Sequence, residues 1–195
     1  MGIWFTADEH YGHDNRSGGI IFMCNRPFVN LDDMREALIA RHNEKVPDSP
    51  DSVTVHLGDM FWKRLETEEC VNIVKRLNGS HLYINGNHEE VFNRAGSSKL
   101  KYLFDDIANV KLMKVGKKLV WLSHYAHRTW PKATTGAYHV FGHAHGKLAD
   151  YRLSHDVGVD ANRFYPVSFD ELDALMISKG KLPPDEVEQD ELDHS

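Results

Sequence analysis

Cysteine is nearly missing from this chain: Cys24 and Cys70 are its two, far apart and in no Cys-x-x-Cys arrangement. That excludes a disulfide framework and a thiolate zinc cage, and it suits a reducing cytoplasm. Long apolar runs are missing too, since no stretch approaches the ~20 apolar residues of a membrane-spanning helix. The opening Met1-Gly2-Ile3-Trp4-Phe5-Thr6 has neither the basic start nor the extended apolar segment of a signal peptide. There is no internal repeat and no Gly/Ser linker. A length of 195 residues therefore reads as a single domain with a core of its own.

Basic excess is a further absence. The formal charge is −6 at pH 7, yet Asp185, Glu186, Glu188, Asp190, Glu191 and Asp193 crowd the last eleven residues. Removing these six from 29 acids leaves 23 against 23 Lys and Arg, so the body is close to neutral. An acidic stretch that follows Pro183-Pro184 with little to bury is expected to stay solvated and disordered. The expected division is a domain over 1–182 and a tail over 183–195. A neutral body argues against a broad duplex-binding face, while small or terminal phosphate groups remain open as substrates. Lys99, Lys101, Lys111, Lys114, Lys117 and Lys118 enrich one region in positive charge, which reads as a solvated strand face, with contact to single-stranded nucleic acid as the alternative.

What the chain does contain is a series of short β-type runs. Ile3 to Ala7, Val53 to Leu57, His81 to Ile84, Val110 to Val115, Leu119 to Leu122, His139 to Phe141 and Tyr151 to His155 read as strands. Leu31 to Glu44 has Leu31, Met34, Leu38 and Ile39 at helical spacing, with Asn30 or Asp32 as cap. Glu68 to Leu77 reads as a second helix stopped by Asn78-Gly79. Alternation first and consecutive strands later predict a mixed α/β sheet system with helices outside, whose ligand sits beyond the carboxyl ends of the strands.

Polar clusters fall at those ends: Asp8-Glu9-His10, Gly58-Asp59, Gly86-Asn87-His88-Glu89, Ser123-His124 and Gly142-His143-Ala144-His145. Asp8 and His10, two apart on an extended segment, leave the same face and can bind one ion. His143 and His145 share that spacing between Gly142 and Gly146, which allow a tight backbone approach. Singly, each has an ordinary reading: an Asx turn at Asn87, a helix N-cap at Asp59, a buried core histidine at His124. Converging on one point, they would supply the carboxylate, imidazole and amide donors of a dinuclear hydrolytic centre.

Read in order over residues 8 to 145, Asp-x-His, Gly-Asp, Gly-Asn-His-Glu, His and Gly-His-x-His resemble the calcineurin-like metallophosphoesterase superfamily. The stretch Trp4 to His13, the Asn25-Arg26-Pro27-Phe28 element and Asp156-Val157-Gly158-Val159-Asp160 look like a compact bacterial and phage branch of it, which would place the protein in a host cytoplasm if phage-encoded. The resemblance covers about residues 3 to 170 and implies the calcineurin-like fold: two mixed β-sheets packed as a sandwich and flanked by α-helices. It implies Asp8, His10 and His145 on a first ion, Asn87, His124 and His143 on a second, and Asp59 bridging both. Donors without sulfur suit Mn²⁺ first, with Fe, Zn²⁺, Ni²⁺ or Co²⁺ as alternatives.

The implied activity is phosphoester hydrolysis by a hydroxide shared between two cations, with His88 assisting at the leaving oxygen and Asp59 indispensable. In the protein-phosphatase branch Gly-Asp continues to a second Asp and an Arg, whereas here Met60-Phe61-Trp62-Lys63 follow. This departure shifts the expectation toward a phosphodiesterase acting on nucleotides, cyclic nucleotides or single-stranded nucleic-acid ends. The alternatives are a phosphomonoesterase on small substrates and a non-catalytic metal-binding interaction scaffold. His13, Arg16, Arg26, His127 and Arg128 lie just beyond the ligand motifs and are expected to bind substrate phosphate. Trp62, Tyr125 and Trp130 are candidates for stacking a base.

Overall fold

A computed structural model describes residues 1–14 and 19–180. The expected substrate residue Arg16 and the acidic tail over 183–195 lie outside the described residues. In chain order the elements are β1 Gly2–Thr6, α1 Gly19–Met23, α2 Leu31–Lys45, β2 Ser52–His56, α3 Thr67–Val74, β3 Ser80–Ile84, α4 Ser98–Lys101, β4 Asp106–Ala108, β5 Val110–Val115, β6 Lys118–Ser123, β7 Tyr138–Phe141, β8 Ser154–Asp156, β9 Val167–Ser168 and α5 Phe169–Lys179. Among the described residues no helix is long and apolar enough to cross a membrane.

Two mixed sheets result, with strand orders β4-β3-β2-β1-β9 and β5-β6-β7-β8. β1 to β4 run parallel, with β9 antiparallel against β1. In the second sheet β6, β7 and β8 are parallel and β5 pairs antiparallel with β6. One core cluster joins the facing sides of both sheets through Phe5, Val55, Ile84, Val120, Leu122 and Val140. A second sits between the first sheet and its helices, built on Met34, Leu38, Val71, Val74, Tyr83 and Phe104. Central strands covered on both faces read as continuous β-branched runs, which is how β2 and β6 were legible.

Asn30 caps α2, its side chain accepting from Asp33 N at 2.9 Å. The periodicity of α3 was read three residues too long, because Lys75 to Leu77 close in turns over the Asn78-Gly79 stop. α5 is an element the strand-rich reading of the C-terminal third missed. Ser168 and Glu171 form a full capping box at its start, a signal present in the sequence. The last expected strand, Tyr151 to His155, is displaced to Ser154–Asp156, since Arg152 adopts φ 53° and bends the chain first.

The first sheet buries three histidines on its helix-facing side. His56 Nδ1 lies 2.8 Å from Glu9 Oε1 and His56 Nε2 lies 3.2 Å from His81 Nδ1, while His42 Nε2 contacts the Asn78 carbonyl at 3.0 Å. Burial, and then the neighbouring His56, push His42 down to about 4 and His81 to about 2. The unfolded chain, with imidazoles near 6.5, therefore binds more protons in mild acid, so stability is full above that pH and falls below it. Urea midpoints measured from pH 7.5 down to 5 should show a loss of about 1.4 kcal/mol per pH unit for each of the two histidines once below pH ~6.5. His42→Gln should flatten that slope.

Candidate metal centre

Parallel pairing aligns the carboxyl ends of β1, β2 and β3, and of β6 and β7, so the five polar clusters emerge along one edge of the two sheets. Backbone bonds then lace the loops together. Asp8 N donates to Gly58 O at 3.1 Å, His10 N to Asp59 O at 3.0 Å, Gly142 N to His124 O at 2.9 Å and Val159 N to Ala7 O at 3.0 Å. Asp59 is no helix cap, because α3 begins only at Thr67. Its Oδ1 instead accepts from the backbone N–H groups of Asn87 and His88 at 2.9 and 3.0 Å. Glu89 fastens the same turn from below, accepting from Asp59 N at 3.0 Å, Gly86 N at 2.7 Å and the Tyr83 hydroxyl at 2.9 Å. Burial pushes the Glu89 carboxyl up to about 7.

This edge holds strained backbone. Asp8, His10, Asp59, His143 and His145 have φ between 49° and 65°, a left-handed conformation that costs a residue with a Cβ on the order of 1 kcal/mol or more. Such outliers persist where the surrounding bonds over-determine them, and they cluster at functional sites. Close approach adds to the demand: a Cβ at Gly86 would stand 2.2 Å from Asp59 Oδ1, and one at Gly142 2.7 Å from Asp8 Oδ2.

Two groups of donors converge there, Asp8 with His10 and His145, and Asp59 with His124 and His143, each group with its donor atoms within 4.8 Å of one another. Asp59 Oδ2 stands between them, 3.8 Å from His10 Nε2 and 3.6 Å from His124 Nε2. Asn87 Oδ1 joins the second group at 3.1 Å from His124 Nε2. Two atoms that each coordinate one cation at about 2.1 Å, 90–110° apart, are separated by roughly 3.0–3.4 Å, close to the spacings within the second group.

The ring contacts leave Nε2 facing the site. His124 Nδ1 contacts the Leu57 carbonyl at 2.7 Å and His145 Nδ1 contacts Asp160 Oδ2 at 2.7 Å, so Nδ1 carries the proton in each ring; Nε2 of neutral His124 keeps its lone pair, whereas His145 would have to release its Nε2 proton to bind a cation. Burial, then the charges of His145 and Arg26, hold His10 well below the ordinary imidazole range. Burial raises Asp8 well above the carboxylate range, with Asp59 and Asp156 adding to it and His145 opposing. Asp8 Oδ1 and both His10 nitrogens are buried with no hydrogen-bond partner. Buried polar atoms are almost always paired, and a divalent cation would satisfy a carboxylate oxygen of Asp8 and one nitrogen of His10 and reverse the cost of ionising Asp8.

Several surroundings differ from expectation. Arg26, expected to reach substrate phosphate, is 4% exposed. Its Nε and Nη2 grip Asp160 at 2.9 and 2.7 Å, and Nη2 and Nη1 donate to the carbonyls of Asp8 and Glu9 at 2.7 and 2.9 Å. It braces the Asp8–His10 loop from within because its fork matches a buried carboxylate and two adjacent loop carbonyls. His127 accepts from Trp121 Nε1 at 2.9 Å and donates its backbone N–H to His139 at 3.0 Å. Arg128 lies over the Tyr151 ring at 5.7 Å. His13 does stand at the site, its ring 5.1 Å from that of His10, and burial lowers it to about 4.

His88 Nε2 is 4.0 Å from Asp59 Oδ2. Trp62 packs its indole 4.9 Å from the His88 ring and stacks on His13 at 3.5 Å and 7°. Asp160 was not singled out as a partner of His145, although it lies in the quoted Asp156 to Asp160 stretch. Cys24 forms a further donor group with His145 and Asp160. The Arg26 fork already neutralises Asp160, so a cation there would face the guanidinium. Asp160 accordingly serves to orient His145, raising it to about 10 against the opposing pull of burial, with help from Cys24.

No family model matches the chain. It is 28% identical over 187 residues to the uncharacterised protein MJ1445 of Methanocaldococcus jannaschii, covering 92% of this chain and 93% of that one. Among solved structures it is similar to the protein of unknown function AQ665 from Aquifex aeolicus, with a TM-score of 0.66, 24% identity and coverage of 89% and 98%. That likeness shows a shared fold. A phosphoesterase from E. coli, Yfce, matches with a TM-score of 0.39 at 16% identity over 81% of this chain and 78% of that one.

Proposed function

We propose that this protein is a dinuclear metal-dependent phosphoesterase of the calcineurin-like kind, acting as a phosphodiesterase on nucleotide, cyclic-nucleotide or nucleic-acid-end substrates. The observation that carries the reading is the position of Asp59 Oδ2, 3.8 and 3.6 Å from imidazole nitrogens of two separate donor groups. Asp8, His10 and His145 would hold one ion, Asn87, His124 and His143 the other, and Asp59 both. Two cations so placed, with Mn²⁺ the first choice for this oxygen and nitrogen set, would activate water and neutralise phosphoryl oxygens. His88 stands next to ligand Asn87 with its side chain 28% exposed, able to donate a proton to a leaving oxygen.

The diester preference rests on the surroundings. A phosphomonoester carries a second negative charge that a guanidinium fork commonly meets, and the described arginines expected for that work, Arg26 and Arg128, are engaged with Asp160 and against Tyr151. The test is metal content followed by turnover. Protein dialysed against Mn²⁺ should retain two ions per chain and hydrolyse bis-p-nitrophenyl phosphate faster than p-nitrophenyl phosphate. Retention of only trace metal would favour the scaffold reading, and a clear preference for the monoester would overturn the diesterase assignment.

A further inference from the structure

Three rings near the metal loops were candidates for stacking a planar substituent, and the structure separates them. Trp130 is 5% exposed and donates its Nε1–H to the Ala137 carbonyl at 2.9 Å, so it belongs to the interior. Trp62 has His13 stacked on it at 3.5 Å and Lys63 Nζ 5.4 Å from the ring centre, which covers its π surface. Tyr125 is 49% exposed and yet fixed. Its hydroxyl donates to Asn87 Oδ1 at 3.3 Å, its ring lies 4.5 Å from that of His143 and 5.1 Å from that of His124, and its carbonyl accepts from the Ser123 hydroxyl at 2.8 Å. A large ring held in place from below and open above loses little freedom when a flat partner settles on it.

Its position relative to His88 matters as much. His88 packs against Trp62 at 4.9 Å and His10 at 5.7 Å, beside the Asp8, His10 and His145 group. Tyr125 touches the members of the other group. Hydrolysis of a diester forms a bond from the water oxygen to phosphorus and breaks the opposite P–O bond, whose electron pair goes to the leaving oxygen, while the water proton ends on the departing alcohol or in solvent. Attacking and leaving oxygens lie in line. With the leaving oxygen at His88, the substituent that stays on phosphorus is the one free to extend toward Tyr125.

We propose that Tyr125 is a specificity-determining residue that stacks a planar ring, such as a nucleobase, on the substituent retained by phosphorus. The product would then be a nucleoside monophosphate or the end nucleotide of a strand. This rests on the phosphodiesterase reading above and names its substrate class. One base on an aromatic side chain contributes enough for about a tenfold preference or more.

Two diesters with the same leaving group test it: p-nitrophenyl thymidine 5′-phosphate and p-nitrophenyl methyl phosphate, each with the Mn²⁺-loaded protein. The thymidine ester should lead in kcat/KM by about tenfold, a ratio that collapses toward one in Tyr125→Leu and survives in Tyr125→Phe and Tyr125→Trp. Calorimetry gives a second readout, with thymidine 5′-monophosphate binding more tightly than methyl phosphate by a similar factor and losing that advantage in Tyr125→Leu. A wild-type ratio near one, or a Tyr125→Leu protein that slows on both esters while keeping the ratio, would overturn the proposal and leave Tyr125 as a support for Asn87. Turnover of neither ester would defeat the phosphodiesterase reading itself. In that case Tyr125-dependent preference for the nucleotide in calorimetry still supports the stacking role, and its absence overturns it.

Discussion

Asp59→Asn should lower diester turnover by a factor of a thousand or more while leaving the protein folded, because the substitution changes charge at one oxygen and little else. Asp59 Oδ1 accepts the Asn87 and His88 backbone N–H groups, and an amide oxygen can do the same, so the turn survives. Oδ2, which faces His10, His124 and His88 at 3.8, 3.6 and 4.0 Å, becomes a donor aimed at other cation-binding atoms. Bound Mn²⁺ should fall from two per chain to one or fewer. Stability should reverse order with conditions. In EDTA the wild type keeps Asp8 and Asp59 buried near each other, with Asp59 raising the Asp8 carboxyl, so the variant should be at least as stable. With Mn²⁺ the wild type gains RT ln(1 + [Mn²⁺]/Kd), about 2.7 kcal/mol at a hundred times Kd, which the variant mostly forgoes. Full turnover in Asp59→Asn would remove the bridging role on which both donor groups depend.

How far the centre could be read from the chain depended on range. Asp8 with His10 and His143 with His145 are two-residue spacings at strand ends, and Gly58, Gly86 and Gly142 mark close approaches, so local rules sufficed to nominate them, although the backbone there is left-handed and not the extended segment expected of Asp8 and His10. The strands that carry them are short runs of apolar, aromatic and β-branched residues, equally local. What escaped was settled by partners far along the chain. Asp160 reaches Arg26 across 134 residues and His145 across 15, and nothing beside Arg26 distinguishes a guanidinium on a buried carboxylate from one on a substrate. Trp62 after the Gly-Asp motif was visible, but its stack on His13 needed the fold. β4, three residues long, and β9, two residues long, are too short for any period to register, and both exist because a neighbouring strand offers an edge.

Arg26 gives the second large effect, and it separates two roles for one residue. If Arg26 met substrate phosphate, Arg26→Met would raise KM and leave the fold's stability alone. The structure predicts the reverse weighting. Removing the guanidinium leaves Asp160, whose side chain is 7% exposed, with His145 as its remaining partner, and unpairs the carbonyls of Asp8 and Glu9. Breaking a buried ion pair on one side costs about 3–5 kcal/mol, so urea unfolding should show a loss of that size in metal-free protein. With the anchor of its carboxylate gone, Asp160 holds the His145 ring less firmly, and Mn²⁺ affinity at the Asp8, His10 and His145 group should drop by about 10 to 100-fold. Arg26→Lys should fall between, since an ammonium keeps the charge but cannot supply the two parallel N–H bonds to Asp160 along with both carbonyl contacts. Asp160→Asn removes the same pair from the other end. A double-mutant cycle of Arg26→Met with Asp160→Asn should therefore return a coupling on the order of 1–3 kcal/mol. Additive losses with a raised KM would restore Arg26 to the substrate.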